Sequence, residues 1–110
     1  MEKRRDRRIP VRDPMSFQAQ AGPGEGTIVN LSANGCAFES GHPIDPNATL
    51  QLELCIPNEK DPVKVSRARV TWKVGDGMGV EFLNMNETSK ARLRHYLEAF
   101  PPDASSQDAS

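Results

Sequence analysis

Hydrophobic and polar residues alternate along most of the chain. The clearest example spans residues 49–56, whose hydrophobic positions are Leu50, Leu52, Leu54 and Ile56. A period of two over this length predicts a strand with one buried face. Shorter segments of the same kind predict five more strands, over residues 15–20, 27–31, 36–40, 63–74 and 78–83.

The alternation changes phase within residues 63–74. Up to Val65 the hydrophobic residues occupy odd positions, whereas after Ser66 they occupy even positions, at Ala68, Val70 and Trp72. This change indicates either a bulge near Ser66 or an exposed hydrophobic start to the strand. Trp72 is expected on the same face as Val70.

Turn-forming residues separate the predicted strands, at residues 21–24, 32–35, 41–47, 57–62 and 75–77. Glycine and proline total 17 of the 110 residues. Many short strands with frequent turns favour a small antiparallel barrel or sandwich over a helical bundle. With 36% hydrophobic and only 5% aromatic residues, the expected core is modest and mostly aliphatic.

One helix is predicted near the end of the chain. Asn86 is suited to cap it, and Glu87 in its first turn complements the helix dipole. One hydrophobic stripe follows at the spacing i, i+3, i+4 and i+7, formed by Leu93, Tyr96, Leu97 and Phe100. Two prolines then end the helix.

A length of 110 residues suits one domain. We expect residues 1–14 to form a mobile basic arm with almost nothing buried, residues 15–100 the folded domain, and residues 101–110 a disordered polar tail. No hydrophobic run is long enough to form a membrane-spanning helix. The basic N-terminal residues are not followed by the hydrophobic stretch of a signal peptide, so we do not expect secretion. A cytoplasmic location is the simplest expectation.

Charge is distributed unevenly. Residues 1–12 hold six basic and two acidic side chains, a net charge of +4, whereas the whole chain has a net charge of −1. The rest of the chain therefore has a net charge of −5. Such asymmetry suggests an anionic partner, which could be a nucleic acid, a nucleotide, a membrane surface or the protein's own acidic face.

Catalytic chemistry finds no support in the sequence. His42 lies in a loop and His95 on the polar side of the helix, while Cys36 and Cys55 lie in predicted strands as ordinary packing residues. Neither a glycine-rich phosphate loop nor a zinc-ligand spacing is present. We therefore expect no catalytic residues, no metal site, no cofactor and no enzymatic activity.

Two segments carry candidate binding chemistry. In the arm, Arg4, Arg8 and Arg12 recur every four residues, and their guanidinium forks match phosphate oxygens and the O6/N7 edge of guanine. At the end of the second predicted strand, Asn30 and Ser32 are two residues apart and are expected on one face. Gly35 then allows a sharp turn or a close backbone approach. Taken alone, the arginine segment also fits a solvated run of charges without a specific partner, and residues 30–35 also fit an ordinary turn.

Taken together, the two segments resemble the PilZ family of bacterial domains, whose motifs are RxxxR and [D/N]xSxxG. Arg4 and Arg8 match the first motif, and residues 30–35 match the second. The hydrophobic residue and the proline that follow Arg8 support this alignment with the first motif, although Arg8 and Arg12 have the RxxxR spacing as well. Residues 77–82 also look like the family's late strand and residues 93–97 like its closing helix, so the resemblance spans residues 2–100.

The resemblance implies a six-stranded antiparallel β-barrel with a C-terminal α-helix and a flexible basic N-terminal arm. It also implies cyclic di-GMP as ligand, bound by Arg4, Arg5, Arg8, Asn30, Ser32 and Gly35. The arm would close on the ligand and signal to an unidentified effector protein in control of motility, adhesion or exopolysaccharide. Lys3, Asn30 and Arg7 depart from the commonest family residues and bear on affinity.

Two other functions remain open. A PilZ-like adaptor would act through protein contacts without binding the nucleotide, which degenerate motifs would favour. A nucleic-acid-binding barrel is disfavoured because the body of the chain is acidic and few aromatic residues are available for base stacking. We therefore expect no nucleic-acid partner.

Overall fold

Six strands and one helix form within residues 8–57 and 59–100, the part of the chain that the computed structural model describes. The elements are β1 (Ile9–Ala19), β2 (Gly22–Leu31), β3 (Gly35–Glu39), β4 (Thr49–Leu54), β5 (Val63–Val74), β6 (Gly77–Asn84) and α1 (Glu87–Glu98). All six predicted strands are present, and the predicted helix follows its expected cap at Asn86.

The strands form a closed antiparallel barrel in the order β1-β2-β3-β6-β5-β4, with β4 pairing back onto β1. The structure therefore confirms the six-stranded barrel with a C-terminal helix, and the sandwich alternative is wrong. Closure leaves every strand with two neighbours, which removes the exposed edges of an open sheet.

The core fills the inside of the barrel with alternate side chains of each strand. Leu50, Leu52 and Leu54 are all buried, as their alternation predicts, while Gln51 and Glu53 between them are exposed. Phe17 and Phe38 stack across the interior with ring centroids 5.9 Å apart. In a regular strand such as β4, the period-two pattern therefore identifies the face that looks inward.

A bulge in β5 explains the change of phase near Ser66. Leu50 lies opposite Ala68 and Leu52 opposite Val65, so two residues of β5 face one residue of β4. Val63 and Val65, which precede the bulge in the chain, are both buried. The prediction of a bulge is confirmed, and the alternative of an exposed hydrophobic start is wrong.

The boundary predicted for the basic arm is wrong. Residues 9–14 belong to β1 and pair with β2, and Ile9 and Asp13 are buried. Pro10 and Pro14 in this stretch are typical of an irregular segment, which is why the sequence alone favours an arm here. In the described residues β1 pairs with β4 only from Met15 onward, so β2 is the one strand that pairs with Pro10. The missing N–H donor of Pro10 therefore affects the pairing with β2 alone. Residues 1–7 and 101–110, to which the rest of the arm and the tail belong, lie outside the described residues.

The helix α1 packs against its own barrel. Leu93 is buried, and Tyr96 and Leu97 of the predicted stripe pack against the core from its edge. The Tyr96 hydroxyl donates a hydrogen bond to Oδ2 of the buried Asp13, with an O–O distance of 2.7 Å. Burial and then this carboxylate raise the pKa of the Tyr96 hydroxyl above its ordinary value. This bond joins α1 to the N-terminal half of β1.

Replacement of Asn86 by alanine should destabilise the protein by about 1 kcal/mol. The Asn86 side-chain oxygen accepts a hydrogen bond from the Ser89 backbone N–H at 2.7 Å, which satisfies one otherwise unpaired donor of the first helical turn. The free energy of unfolding in urea measures the loss. Thr88→Ala, at an exposed position in the same turn, is the control, and an equal loss in both variants would contradict a capping role.

Candidate functional site

A direct hydrogen bond joins the two segments that the sequence singles out. Arg8 lies immediately before β1, and its Nη1 donates to Oδ1 of Asn30 near the end of β2, with an N–O distance of 2.8 Å. Ile9 pairs with Leu31 and Pro10 with Asn30, so the antiparallel register brings Arg8 to this end of β2. Residues 22 positions apart in the chain thus form one polar cluster on the barrel surface.

Asn30 faces outward because β2 contains a bulge. Ile28 lies opposite Phe38 and Asn30 opposite Ala37, so Val29 is the extra residue. Ile28 and Leu31 are buried, whereas Asn30 is only half-buried. The Asn30 amide therefore lies at the outer surface, where a ligand can reach it.

Ser32 has a different environment from Asn30. β2 ends at Leu31, so Ser32 belongs to the turn rather than to the extended strand, and its side chain is fully buried. Its hydroxyl oxygen accepts hydrogen bonds from the backbone N–H groups of Asn34 and Gly35 and donates to the Gly35 carbonyl at 3.1 Å. The prediction that Asn30 and Ser32 share one outward face is wrong, because the turn begins between them.

Gly35 starts β3 where the backbone passes close to β6. It lies opposite Glu81, and a Cβ atom at this position would collide with the Val80 carbonyl oxygen. The glycine is therefore required by the approach of two strands. The same turn is tied to β6 by a hydrogen bond from the Phe82 N–H to the Asn34 carbonyl at 2.8 Å.

Arg8 also acts electrostatically on the start of β3. Burial raises the pKa of the Cys36 thiol to about 12, and the positive charge of Arg8 partly offsets this effect. The thiol is neutral at physiological pH and is not a nucleophile.

The structure brings together four of the six predicted site residues, namely Arg8, Asn30, Ser32 and Gly35. Arg4 and Arg5 lie outside the described residues. Within the described ranges, no group of three or more metal-ligating side chains occurs. In the same part of the chain, no helix has the length and hydrophobicity to cross a membrane.

Trp72 is the surface residue that the hydrophobic pattern places wrongly. A second bulge in β5 sets Val70 opposite Val80 but Trp72 opposite Gly79, and the indole is 48% exposed. Alternation alone cannot reveal this bulge, because Trp72 keeps the spacing of an inward residue. The only sequence signal is the glycine on the partner strand, which leaves room for a large side chain on the outside.

Replacement of Ser32 by alanine should destabilise the protein by about 1–3 kcal/mol, because two backbone N–H groups of the turn lose their acceptor in a buried setting. Thermal unfolding measures this loss. Ser66→Ala, at an exposed position of β5, is the matched control and should change stability by less than about 0.5 kcal/mol. Unchanged stability of the Ser32 variant would contradict its role in the turn.

Several solved structures are similar to this barrel. The PilZ domain of Escherichia coli YcgR, solved with c-di-GMP, matches with a TM-score of 0.70 and 15% identity over 99% of both chains. Bacillus subtilis MotI/DgrA, an inhibitor of motility, matches with a TM-score of 0.72 and 17% identity over 90% of this chain and 52% of that one. The K. pneumonia MrkH–c-di-GMP complex matches with a TM-score of 0.69 and 17% identity over 90% and 52%.

The chain thus spans about half the length of MotI/DgrA and of MrkH. Identities this low show a shared fold. No curated protein matches the sequence significantly. The family model of the PilZ domain, a type of domain that binds ligands without catalysing a reaction, matches residues 2–99, nearly the whole chain. The chain belongs to the PilZ domain family.

Proposed function

We propose that this protein is a non-catalytic receptor for cyclic di-GMP. The hydrogen bond between Arg8 and Asn30 carries the proposal, because it joins the arginine motif and the Asn-x-Ser-x-x-Gly motif in one surface cluster. Family membership and two similar structures solved with c-di-GMP support this choice of ligand.

The cluster suits a guanine nucleotide. The Arg8 guanidinium offers a planar fork of donors for a phosphate or for guanine O6 and N7. The Asn30 side-chain carbonyl accepts from Arg8, and the N–H groups of the same amide can donate to acceptor atoms of a base such as O6 and N7. An aspartate at this position would offer acceptors only, so Asn30 favours contact with the O6/N7 edge of guanine over its N1–H and N2–H groups.

Within this proposal the six site residues have two kinds of role. Arg4, Arg5 and Arg8 bind the phosphates and guanines, together with Asn30. Ser32 and Gly35 position the others, because the buried hydroxyl organises the turn and the glycine lets it lie against β6. The role proposed for Ser32 is therefore structural, in place of the direct base contact expected from sequence.

The arm supplies the signal in this proposal. Residues 1–8, which precede β1, have a net charge of +3 and the remaining chain has a net charge of −4. A dianionic ligand therefore favours a closed state in which it bridges the two. Ordering of a segment on a ligand is an established type of switch. The closed arm then presents a new surface to an effector protein in the cytoplasm, in control of motility, adhesion or exopolysaccharide.

Calorimetric titration with cyclic di-GMP tests the proposal, with the linear dinucleotide of the same bases as control. We expect low-micromolar or tighter binding of the cyclic ligand and much weaker binding of the linear one. The absence of both heat and a melting shift at millimolar ligand would contradict the proposal and favour a protein adaptor that does not bind the nucleotide.

A further inference from the structure

A cleft of about 340 Å³ lies between α1, the end of β6 and the turn of residues 32–35, and we call it the α1 cleft. Its hydrophobic side chains include Phe82, Met85 and Leu93, which are half-buried or buried. Leu83, which also lines the cleft, is 43% exposed. A large hydrophobic side chain from another molecule can therefore fill the α1 cleft and remove hydrophobic surface from water.

The charge of the α1 cleft is opposite to that of the barrel around it. Lys90 and Arg94 are one helical turn apart on α1 and both line the cleft, whereas none of its described lining residues is acidic. Residues 9–110 as a whole have a net charge of −4. The α1 cleft is thus a local positive patch on an acidic body, and it is complementary to a negatively charged partner.

Both positive charges of the α1 cleft are available for contact with a partner. Lys90 pairs with Glu87 at 3.5 Å, but both side chains are exposed, and a surface pair of this kind contributes little to stability. Arg94 is exposed and forms no ion pair within the part of the chain that the structure describes. By contrast, Arg92 of the same helix is held by the Glu59 carboxylate and by two backbone carbonyls.

The turn of residues 32–35 connects the α1 cleft with the Arg8–Asn30 cluster. On one side, the pairing of β1 with β2 brings Arg8 to the end of β2, just before the turn. On the other side, Asn34 lines the cleft, and its carbonyl accepts a hydrogen bond from the Phe82 N–H at 2.8 Å. A ligand held by the Arg8–Asn30 cluster can therefore alter one wall of the α1 cleft.

We propose that the α1 cleft docks the effector protein, through a segment in which a large hydrophobic side chain is flanked by aspartate or glutamate residues. This inference rests on the proposed function and deepens it, because it gives the effector a place on the barrel and a chemistry. The hydrophobic side chain fills the cleft beside Leu83, and the flanking carboxylates pair with Lys90 and Arg94. A buried anchor surrounded by polar contacts is the usual arrangement of a binding hot spot.

A phosphate of the nucleotide is the competing occupant of the α1 cleft, since lysine and arginine also bind phosphates. The exposed hydrophobic surface favours a protein segment, because a phosphate gains nothing from Leu83, whereas a hydrophobic side chain gains free energy by covering it. Replacement of Arg94 separates the two occupants, because the affinity for the nucleotide would fall only if the cleft held a phosphate.

A random peptide library displayed on phage supplies the probe, with the full chain as target in the presence and in the absence of cyclic di-GMP. We expect the enriched peptides to contain a large hydrophobic residue next to acidic residues. Fluorescence anisotropy of one labelled peptide then measures its affinity for each variant. This affinity should fall by about 10-fold or more in Arg94→Glu and in Leu83→Ser.

Two exposed residues of β5 provide matched controls. Lys64→Glu reverses a charge as Arg94→Glu does, and Val74→Ser removes an exposed hydrophobic side chain as Leu83→Ser does. Neither Lys64 nor Val74 lines the α1 cleft, so both control variants should bind the peptide with nearly wild-type affinity. Circular dichroism of each variant verifies the barrel.

Calorimetry with cyclic di-GMP separates the docking site from the nucleotide site. Arg94→Glu and Leu83→Ser should bind the nucleotide as the wild-type protein does. In the wild-type protein, saturation with the nucleotide should tighten the binding of the peptide by about 5-fold or more, because the turn is shared by the two sites.

Three results would overturn the docking site without touching the proposed function. These are enriched peptides that lack the expected chemistry, wild-type peptide affinity in Arg94→Glu, and a loss of nucleotide affinity in Arg94→Glu. Equal peptide affinity with and without the nucleotide would overturn the assignment of this segment to the effector. A wild-type protein that bound the peptide in the α1 cleft but bound no nucleotide would overturn the proposed function instead.

Discussion

Simultaneous replacement of Arg4 and Arg8 by alanine should weaken the binding of cyclic di-GMP by about 100- to 10,000-fold. A hydrogen bond to a charged group contributes about 1.5–3 kcal/mol, and the variant loses the guanidinium groups of both motif arginines. The fold should be unaffected, because the Arg8 side chain is exposed and its bond to Asn30 lies at the surface. Calorimetry measures the affinity, and thermal unfolding verifies the fold.

Arg12→Ala is the matched control for this experiment. Arg12 is an exposed residue of β1, and its removal lowers the net charge by one without touching the Arg8–Asn30 bond. We expect it to weaken binding only modestly through the general attraction for an anion. The single variants Arg4→Ala and Arg8→Ala complete the set. If Arg12→Ala lost as much affinity as Arg8→Ala while Arg4→Ala kept wild-type affinity, the site would use the alternative spacing of Arg8 with Arg12.

Replacement of Phe38 by alanine should destabilise the protein by about 3–5 kcal/mol. Phe38 is a fully buried residue of β3 that lies between Ile28 of β2 and Met78 of β6 and stacks on Phe17. Alanine leaves a cavity where a ring filled the centre of the barrel. For a domain of this size the melting temperature should fall by about 15–30 °C. Differential scanning calorimetry measures the shift.

Leu83→Ala is the comparison for Phe38→Ala. Leu83 is 43% exposed on β6, so its truncation removes far less buried surface and should cost less than about 1 kcal/mol. Similar losses in the two variants would contradict the view that the barrel interior dominates stability. Saturating cyclic di-GMP should raise the melting temperature of both variants if each retains the site.

The number of strands and their order follow from the sequence, although β1 and β2 begin earlier than the predicted residues 15 and 27. In β4, alternation of leucine with polar residues defines the inward face without reference to any other strand. The helix is also local, since Asn86 caps it and its stripe has helical spacing. The two binding motifs carry enough specific residues to indicate the family by themselves.

The tertiary structure decides the features that depend on pairing between strands. The sequence shows Asn30 and Ser32 two residues apart, but only the turn after Leu31 makes one a surface residue and the other a buried hydrogen-bonding group. Likewise, Ile9 and Asp13 are buried because β2 and α1 cover them, although their segment looks irregular. Such burial comes from neighbours that are distant in the chain, which local patterns do not record.

The sequence by itself therefore determines the six strands, the helix and the motifs, because these depend on periodicity and on the chemistry of neighbouring residues. Periodicity leaves a barrel and a sandwich open, and the motifs favour the barrel through the family that they indicate. Only the tertiary structure decides that Arg8 meets Asn30 and that Trp72 turns outward onto Gly79. Register and bulges produce both contacts, and a bulge shifts every later side chain of its strand to the opposite face. The bulge near Ser66 is visible in the alternation of β5 itself, whereas those at Val29 and Thr71 become apparent only when the strand is paired with its neighbour.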